Sequence, residues 1–122
     1  MALDERLARV VEAARSKKAG RIELLDVGRI ASFADTFAFM SGTSDRQNRA
    51  IAEAIFDALK ERGERPISQE GGNPGTWILM DYGDLIVHVM DESTRLHYKL
   101  EELWKEGQKL ELPPDPAIEP KA

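Results

Sequence analysis

Trp77-Ile78-Leu79-Met80-Asp81-Tyr82-Gly83-Asp84-Leu85-Ile86-Val87-His88-Val89-Met90 is two apolar runs joined by Asp-Tyr-Gly-Asp. The second run is rich in β-branched residues and has no internal Gly or Pro, so it reads as a strand buried on both faces. Gly83 can take positive φ without a Cβ clash, and the neighbouring aspartates can accept from nearby backbone amides. These features predict a β-hairpin. A hairpin alone is marginal in water, so the rest of the chain has to cover it.

Downstream, Asp91 is placed to cap a helix from Glu92 to about Glu106, with Leu96, Leu100, Leu103 and Trp104 as its apolar stripe and His97 and Tyr98 off it. Gly107 ends the regular part. From Leu110 onward, Pro113, Pro114, Pro116 and Pro120 interrupt any pattern, so residues 108–122 read as an extended, flexible tail. Upstream, Gly71-Gly72-Asn73-Pro74-Gly75 is a loop by composition. Arg65 to Glu70 reads as a short strand around Ile67, and Pro66, which has no amide to donate, assigns it to a sheet edge.

In the first half, Asp4 to Lys18 reads as an amphipathic helix: Leu3, Leu7, Val10, Val11 and Ala14 recur at helical spacing, and Gly20 stops it. Arg21 to Val27 and Phe33 to Met40 read as strands, the second with Phe37 and Phe39 on one face and Ala38 and Met40 on the other. Ser44 followed by Gln47 matches a capping box. It opens a helix that runs to about Arg62 with Ala50, Ile51, Ala54, Ile55, Ala58 and Leu59 as its buried stripe. Gly63 terminates it. The order helix, strand, strand, helix, strand, strand, strand, helix predicts one α/β domain over residues 1–107, with helices covering the sheet.

The 122 residues suit a single domain. There are no cysteines, which excludes a disulfide framework, a thiol nucleophile and a zinc-thiolate site. The net charge of −5 makes the chain as a whole a poor ligand for a phosphate backbone and favours a basic protein partner. The start, Met1-Ala2-Leu3-Asp4-Glu5-Arg6, is not a secretory signal, and no run approaches the roughly 18 apolar residues of a spanning helix. The expectation is a cytoplasmic protein without a membrane partner.

Three places invite a chemical reading. A strand running into Gly42-Thr43-Ser44 is how nucleotidyltransferases begin, but that chemistry needs an Asp-x-Asp pair to hold a divalent metal, and Asp45-Arg46-Gln47 follows instead. The glycine-rich loop 71–75 lacks the Lys-Ser/Thr ending of a phosphate-binding loop. His88, between Val87 and Val89, reads as a structural histidine. Asp26, Asp35, Asp81 and Asp84 lie at strand ends, where turn chemistry explains them. No catalytic set, metal site or cofactor motif emerges. Trp77 and Tyr82 are large aromatics that the turn does not require. They read equally as lids on the sheet or as interface anchors.

Several motifs in register carry a likeness. Ala34-Asp35-Thr36-Phe37, Gly42-Thr43-Ser44-Asp45-Arg46-Gln47, Glu70-Gly71 with Trp77 downstream, Asp81 to Val89, and Leu100-Glu101-Glu102-Leu103-Trp104 together resemble the ribosomal silencing factors, the Iojap-related family. The resemblance spans residues 5 to 104 and leaves out the tail. It implies a mixed-sheet α/β fold, nucleotidyltransferase-like without the catalytic carboxylates. It also implies binding to the large ribosomal subunit through its fourteenth protein, a block on joining of the small subunit, and a homodimer when free. Organellar relatives imply a large-subunit assembly role as the alternative. The contact residues it implies are Trp77, Leu79, Asp81 and Tyr82, with His88 beside them. Leu79 and His88 read equally well as core.

Overall fold

Gly83 turns the chain at φ 89°, Asp81 Oδ1 accepts its amide at 2.7 Å, and the Tyr82 amide donates to the Leu85 carbonyl at 2.8 Å, closing the hairpin. This computed structural model describes residues 4–99, 102 and 105–115. In chain order the elements are α1 (Glu5–Ser16), β1 (Gly20–Asp26), β2 (Thr36–Gly42), α2 (Asp45–Lys60), β3 (Ser68–Glu70), β4 (Trp77–Asp81), β5 (Leu85–Asp91), α3 (Glu92–Tyr98) and β6 (Gln108–Lys109). Among the described residues one sheet forms, in the order β3-β4-β5-β2-β1-β6. β2 and β5 run parallel at its centre and every other pair is antiparallel, so the sheet is mixed.

The alternation along the strands sorts the core into two halves. Ala38, Met40, Ile78, Met80, Val87 and Val89 face α1 and α2, meeting Leu7, Val10, Val11, Ile51, Ile55 and Leu59. Phe37, Phe39, Ile86 and Met90 face the other way, toward Leu25, Val27, Ala31 and Ala34. Burying an aliphatic side chain of this size contributes about 2 kcal/mol, so the α1–α2 layer dominates stability. Each helix begins on a side chain that accepts from the amide three residues on: Asp4 Oδ1 from Leu7 at 2.8 Å, Ser44 Oγ from Gln47 at 3.0 Å, and Asp91 Oδ1 from Thr94 at 2.8 Å. Gln47 reaches back one residue further than a simple capping box: its Oε1 accepts from the Thr43 amide at 2.6 Å.

Four boundaries differ from the sequence reading. Phe33 is not in a strand. Ile30 and Ala31 donate to the Val27 carbonyl, so residues 27–34 close on themselves, and only at Asp35 and Thr36 does the backbone reach the Asp84 carbonyl beside β5. Ile67 is exposed just before β3, although its amide still donates to Asp81. α3 ends at Tyr98, because Lys99 turns to φ 50°. Within it Arg95 is buried and Leu96 is exposed, the reverse of the expected stripe. Leu100, Leu103 and Trp104 lie outside the described residues, as do Leu3, Pro116 and Pro120. The expected break at 107 is also overridden: Gln108 and Lys109 add β6 to β1, the Leu110 amide donates to the Leu24 carbonyl at 2.9 Å, and Arg15 donates to the Pro113 carbonyl at 2.7 Å. Prolines end regular structure but leave the segment's carbonyls and apolar rings free to dock.

The Gly42 corner is held by close packing. Asn48 is buried, its Nδ2 donates to the Gly75 carbonyl at 2.9 Å, and a Cβ on Gly42 would stand 2.3 Å from its Oδ1. Gly42→Ala is expected to destabilise the fold by about 1–3 kcal/mol through this overpacking. Urea unfolding checks it, with a lowered midpoint and unchanged slope expected. A midpoint equal to wild type would refute the close-approach account.

Candidate functional site

Among the described residues, the sheet face away from α1 and α2 is only partly covered. Because side chains alternate along a strand, Trp77, Leu79 and Asp81 of β4 all point to this face. Register sets their neighbours: Leu79 lies opposite His88, which lies beside Phe39, and Asp81 lies opposite Ile86. On the other flank of β4, Glu70 pairs with Leu79 and Ser68 with Asp81, so an exposed carboxylate stands next to Leu79 at the sheet edge. α3 and the 27–35 segment cover the remainder. They leave Trp77 and Leu79 half-buried, with Tyr98, 53% exposed, against Trp77, Phe33, 62% exposed, against Phe37, and Leu96 of α3 61% exposed. The patch is an apolar centre with a rim of carboxylates.

Trp77 is held by two residues, His88 and Tyr98. Its Nε1 donates to His88 Nδ1 at 3.2 Å, and its ring lies 5.1 Å from that of Tyr98 and 6.1 Å from that of His88. His88 stacks on Phe39 at 4.9 Å and 20°. An indole nitrogen can only donate, so His88 Nδ1 must be the acceptor and the imidazole carries its proton on Nε2. That atom is buried without a partner among the described residues. Burial disfavours the charged ring and pushes the His88 pKa down to about 4. His88 is thus a neutral, 8% exposed core residue that orients the indole.

Tyr82 does not join this group. It precedes the two-residue tip Gly83-Asp84 and points to the opposite side, into the core beneath α1 and α2. Burial raises its pKa to about 12. Asp81 is partly exposed and spends one oxygen on the Gly83 amide. Within the tip, Asp84 takes a bidentate pair from Arg6 at 3.0 and 2.8 Å, and Arg6 also reaches Glu64 at 3.1 Å. That pairing lowers the Asp84 pKa and ties the hairpin to α1. Phe33, Leu96, Tyr98, Glu70 and Arg95 escaped the sequence reading. Glu70 alone had a signal, since its place opposite Leu79 follows once the edge strand is paired. Among the described residues no group of three or more His, Cys, Asp or Glu is placed to hold a metal, and no helix is long and apolar enough to cross a membrane. At the Gly42 corner Asp45 Oδ1 accepts from Thr76 at 3.3 Å, and Ser44 and Gln47 are consumed by the helix start.

The exposed face is thus an aromatic patch on an α/β scaffold, with Asp81 and Glu70 at its edge. The family model for ribosomal silencing factor during starvation matches residues 2–122, and so takes in the proline-rich segment as well. A ribosomal silencing factor of Halalkalibacterium halodurans is 35% identical over 112 residues, covering 92% of this chain and 96% of that one. A mouse protein named for mitochondrial assembly of the ribosomal large subunit is 31% identical, covering 78% of this chain and 43% of that protein. A crystal structure of a Chromobacterium violaceum protein superposes with a TM-score of 0.81 at 34% identity, covering 97% of this chain and 98% of that one. The chain belongs to the ribosomal silencing factor family.

The buried imidazole makes stability depend on pH. The unfolded ring, with a pKa near 6.5, takes up a proton before the folded ring does, so His88 contributes fully above that value and its contribution is lost as pH falls toward about 4. Between pH 7 and pH 5 the loss is expected to be about 2 kcal/mol. Urea unfolding of wild type and His88→Phe at the two pH values checks it. The variant should lose less than wild type on acidification, and equal losses would contradict the assignment.

Proposed function

We propose that this chain represses translation by binding the large ribosomal subunit through its fourteenth protein and occupying volume the small subunit needs for joining. The observation that carries this reading is the half-covered aromatic face, in a family named for ribosomal silencing. Steric exclusion needs no reacting groups, only a domain rigid enough to stay where it binds. Trp77 and Leu79 supply the apolar centre that a small, tight contact requires. Asp81 and Glu70 supply the negative rim, and a ribosomal protein, commonly basic, supplies the complement. The chain's −5 charge acts in the same direction during encounter. Of the other two residues singled out from the sequence, His88 holds the indole and Tyr82 secures the hairpin from the core side.

Large-subunit assembly is the second reading, favoured by the name of the mouse relative. It differs in the particle preferred: an assembly factor takes immature large subunits, and a silencing factor must take mature ones. Nucleotide transfer would require magnesium-dependent ATP or GTP binding that Asp45→Ala abolishes with the fold intact.

Co-sedimentation with purified mature large subunits tests the proposal. Wild type is expected in the large-subunit fractions and absent from small-subunit fractions. Trp77→Ala should weaken binding by about 2 kcal/mol as a central anchor. Asp81→Asn keeps the oxygen that accepts from Gly83 and should cost little, whereas Asp81→Lys and Glu70→Lys place a cation against a basic partner and should cost more. Added salt should slow association more than it speeds release. Protein that stays at the top of the gradient at every concentration would overturn the reading.

A further inference from the structure

Arg95 is fully buried, at 0% exposure, in a helix of 7 residues whose neighbouring Leu96 and Tyr98 face solvent. A short helix with one buried side chain has little apolar area to hold it in place, so what Arg95 touches decides where α3 sits. Its Nη1 donates to the Arg21 carbonyl at 2.8 Å and to Ser41 Oγ at 3.0 Å. Its Nη2 lies 3.5 Å from the Glu23 carboxylate, and its guanidinium sits 6.0 Å above the Phe39 ring. Glu23 in turn reaches Lys109 of β6 at 3.6 Å.

The strand beneath is shaped for this contact. Gly20 pairs with Ser41 and Glu23 with Phe39, so Arg21 and Ile22 together stand opposite Met40 alone. This is a β-bulge, and Arg21 takes φ 45° within it, a conformation that residues with a side chain rarely adopt. The bulge presents the Arg21 carbonyl to Arg95, while the Arg21 side chain pairs with Glu92, the first residue of α3. One irregular residue therefore grips the helix at its start and at its buried arginine. The far end of α3 carries Tyr98 against Trp77, and Phe39 under Arg95 stacks on the imidazole that accepts from the indole.

We propose that Arg95 is a positioning residue for partner binding: clamped by the bulged Arg21, Ser41 and Glu23, it fixes α3 across the sheet so that Tyr98 buttresses Trp77 in its binding pose. The inference rests on the reading of this face as the ribosome contact. An arginine suits the task because its planar fork makes several directed bonds at once, which a lysine cannot reproduce.

The test uses the whole 122-residue chain with Trp104→Phe, leaving Trp77 as its sole tryptophan. Arg95→Lys, Tyr98→Ala and the double variant are compared for Trp77 emission, iodide quenching, urea unfolding followed by far-ultraviolet circular dichroism, and affinity for mature large subunits. Arg95→Lys is expected to red-shift the emission, raise quenching and weaken binding about tenfold, less than the loss of the Trp77 anchor itself. Because Arg95 acts through Tyr98, the two losses should not add in the double variant. Ser41→Ala removes one clamp from outside α3 and should shift the emission in the same direction by less. It keeps the test open if Arg95→Lys does not fold. Unchanged emission and affinity in a destabilised Arg95→Lys, or fully additive losses, would overturn the proposal and leave Arg95 a stabilising residue only. The emission and quenching arms do not use the ribosome. If wild type fails to bind large subunits, the proposed function falls, and those arms still decide whether Arg95 sets Trp77.

Discussion

A strand that is apolar on both sides needs two covers. Residues Leu85 to Met90 are all buried, and they pair in parallel with the equally buried β2 along their whole length. A parallel neighbour cannot follow through a tight turn, so the chain must leave the sheet and return between β2 and β5. It leaves through α2, and together with α1 that covers one face. For the second face the described residues supply the 27–35 segment and the short α3. The incomplete second cover is what leaves an apolar face open, the face we propose for partner binding. It leaves Trp77 and Leu79 half-buried, held in place by the sheet yet reachable by a partner.

The incomplete cover is also where polar groups enter the core. A buried guanidinium and a buried neutral imidazole both lie on this side, and both do work that an aliphatic residue would not. The imidazole gives Trp77 a directed hydrogen bond in place of free rotation. The guanidinium substitutes bonds for the apolar area that a seven-residue helix lacks. Such groups stabilise less than well-packed aliphatics, but they specify one arrangement. A contact surface needs its aromatic groups in one arrangement, because ordering them at the moment of binding costs affinity.

Much of this was legible in the sequence. The hairpin, the capped starts of α2 and α3, the edge position of β3 and the two faces of β2 follow from periodicity and turn chemistry, which act over a few residues. The reach of β2 and the docking of residues 108–115 depend on distant partners, the Asp84 carbonyl and β1, and α3 ends early on a left-handed Lys99, a residue type that does not signal such a turn. Tyr82 was misplaced because a one-residue step along a hairpin flips a side chain to the other face. Arg95 was invisible for a related reason. Its partners are a carbonyl, a hydroxyl and a carboxylate from β1 and β2, 54 to 74 residues away, and an isolated arginine beside a leucine reads as the exposed member of the pair.

On the proposed function, the sheet face bearing Trp77 does the silencing and the α1–α2 layer supports it. Light scattering on mixing small subunits with large subunits preincubated with the protein reads joining directly. Wild type is expected to suppress the rise in scattering as it approaches stoichiometry with the large subunit. Trp77→Ala should lose that suppression, while Glu12→Lys, on the exposed side of α1, should keep it. Suppression retained by Trp77→Ala and lost by Glu12→Lys would contradict the account, and so would normal joining in excess wild-type protein.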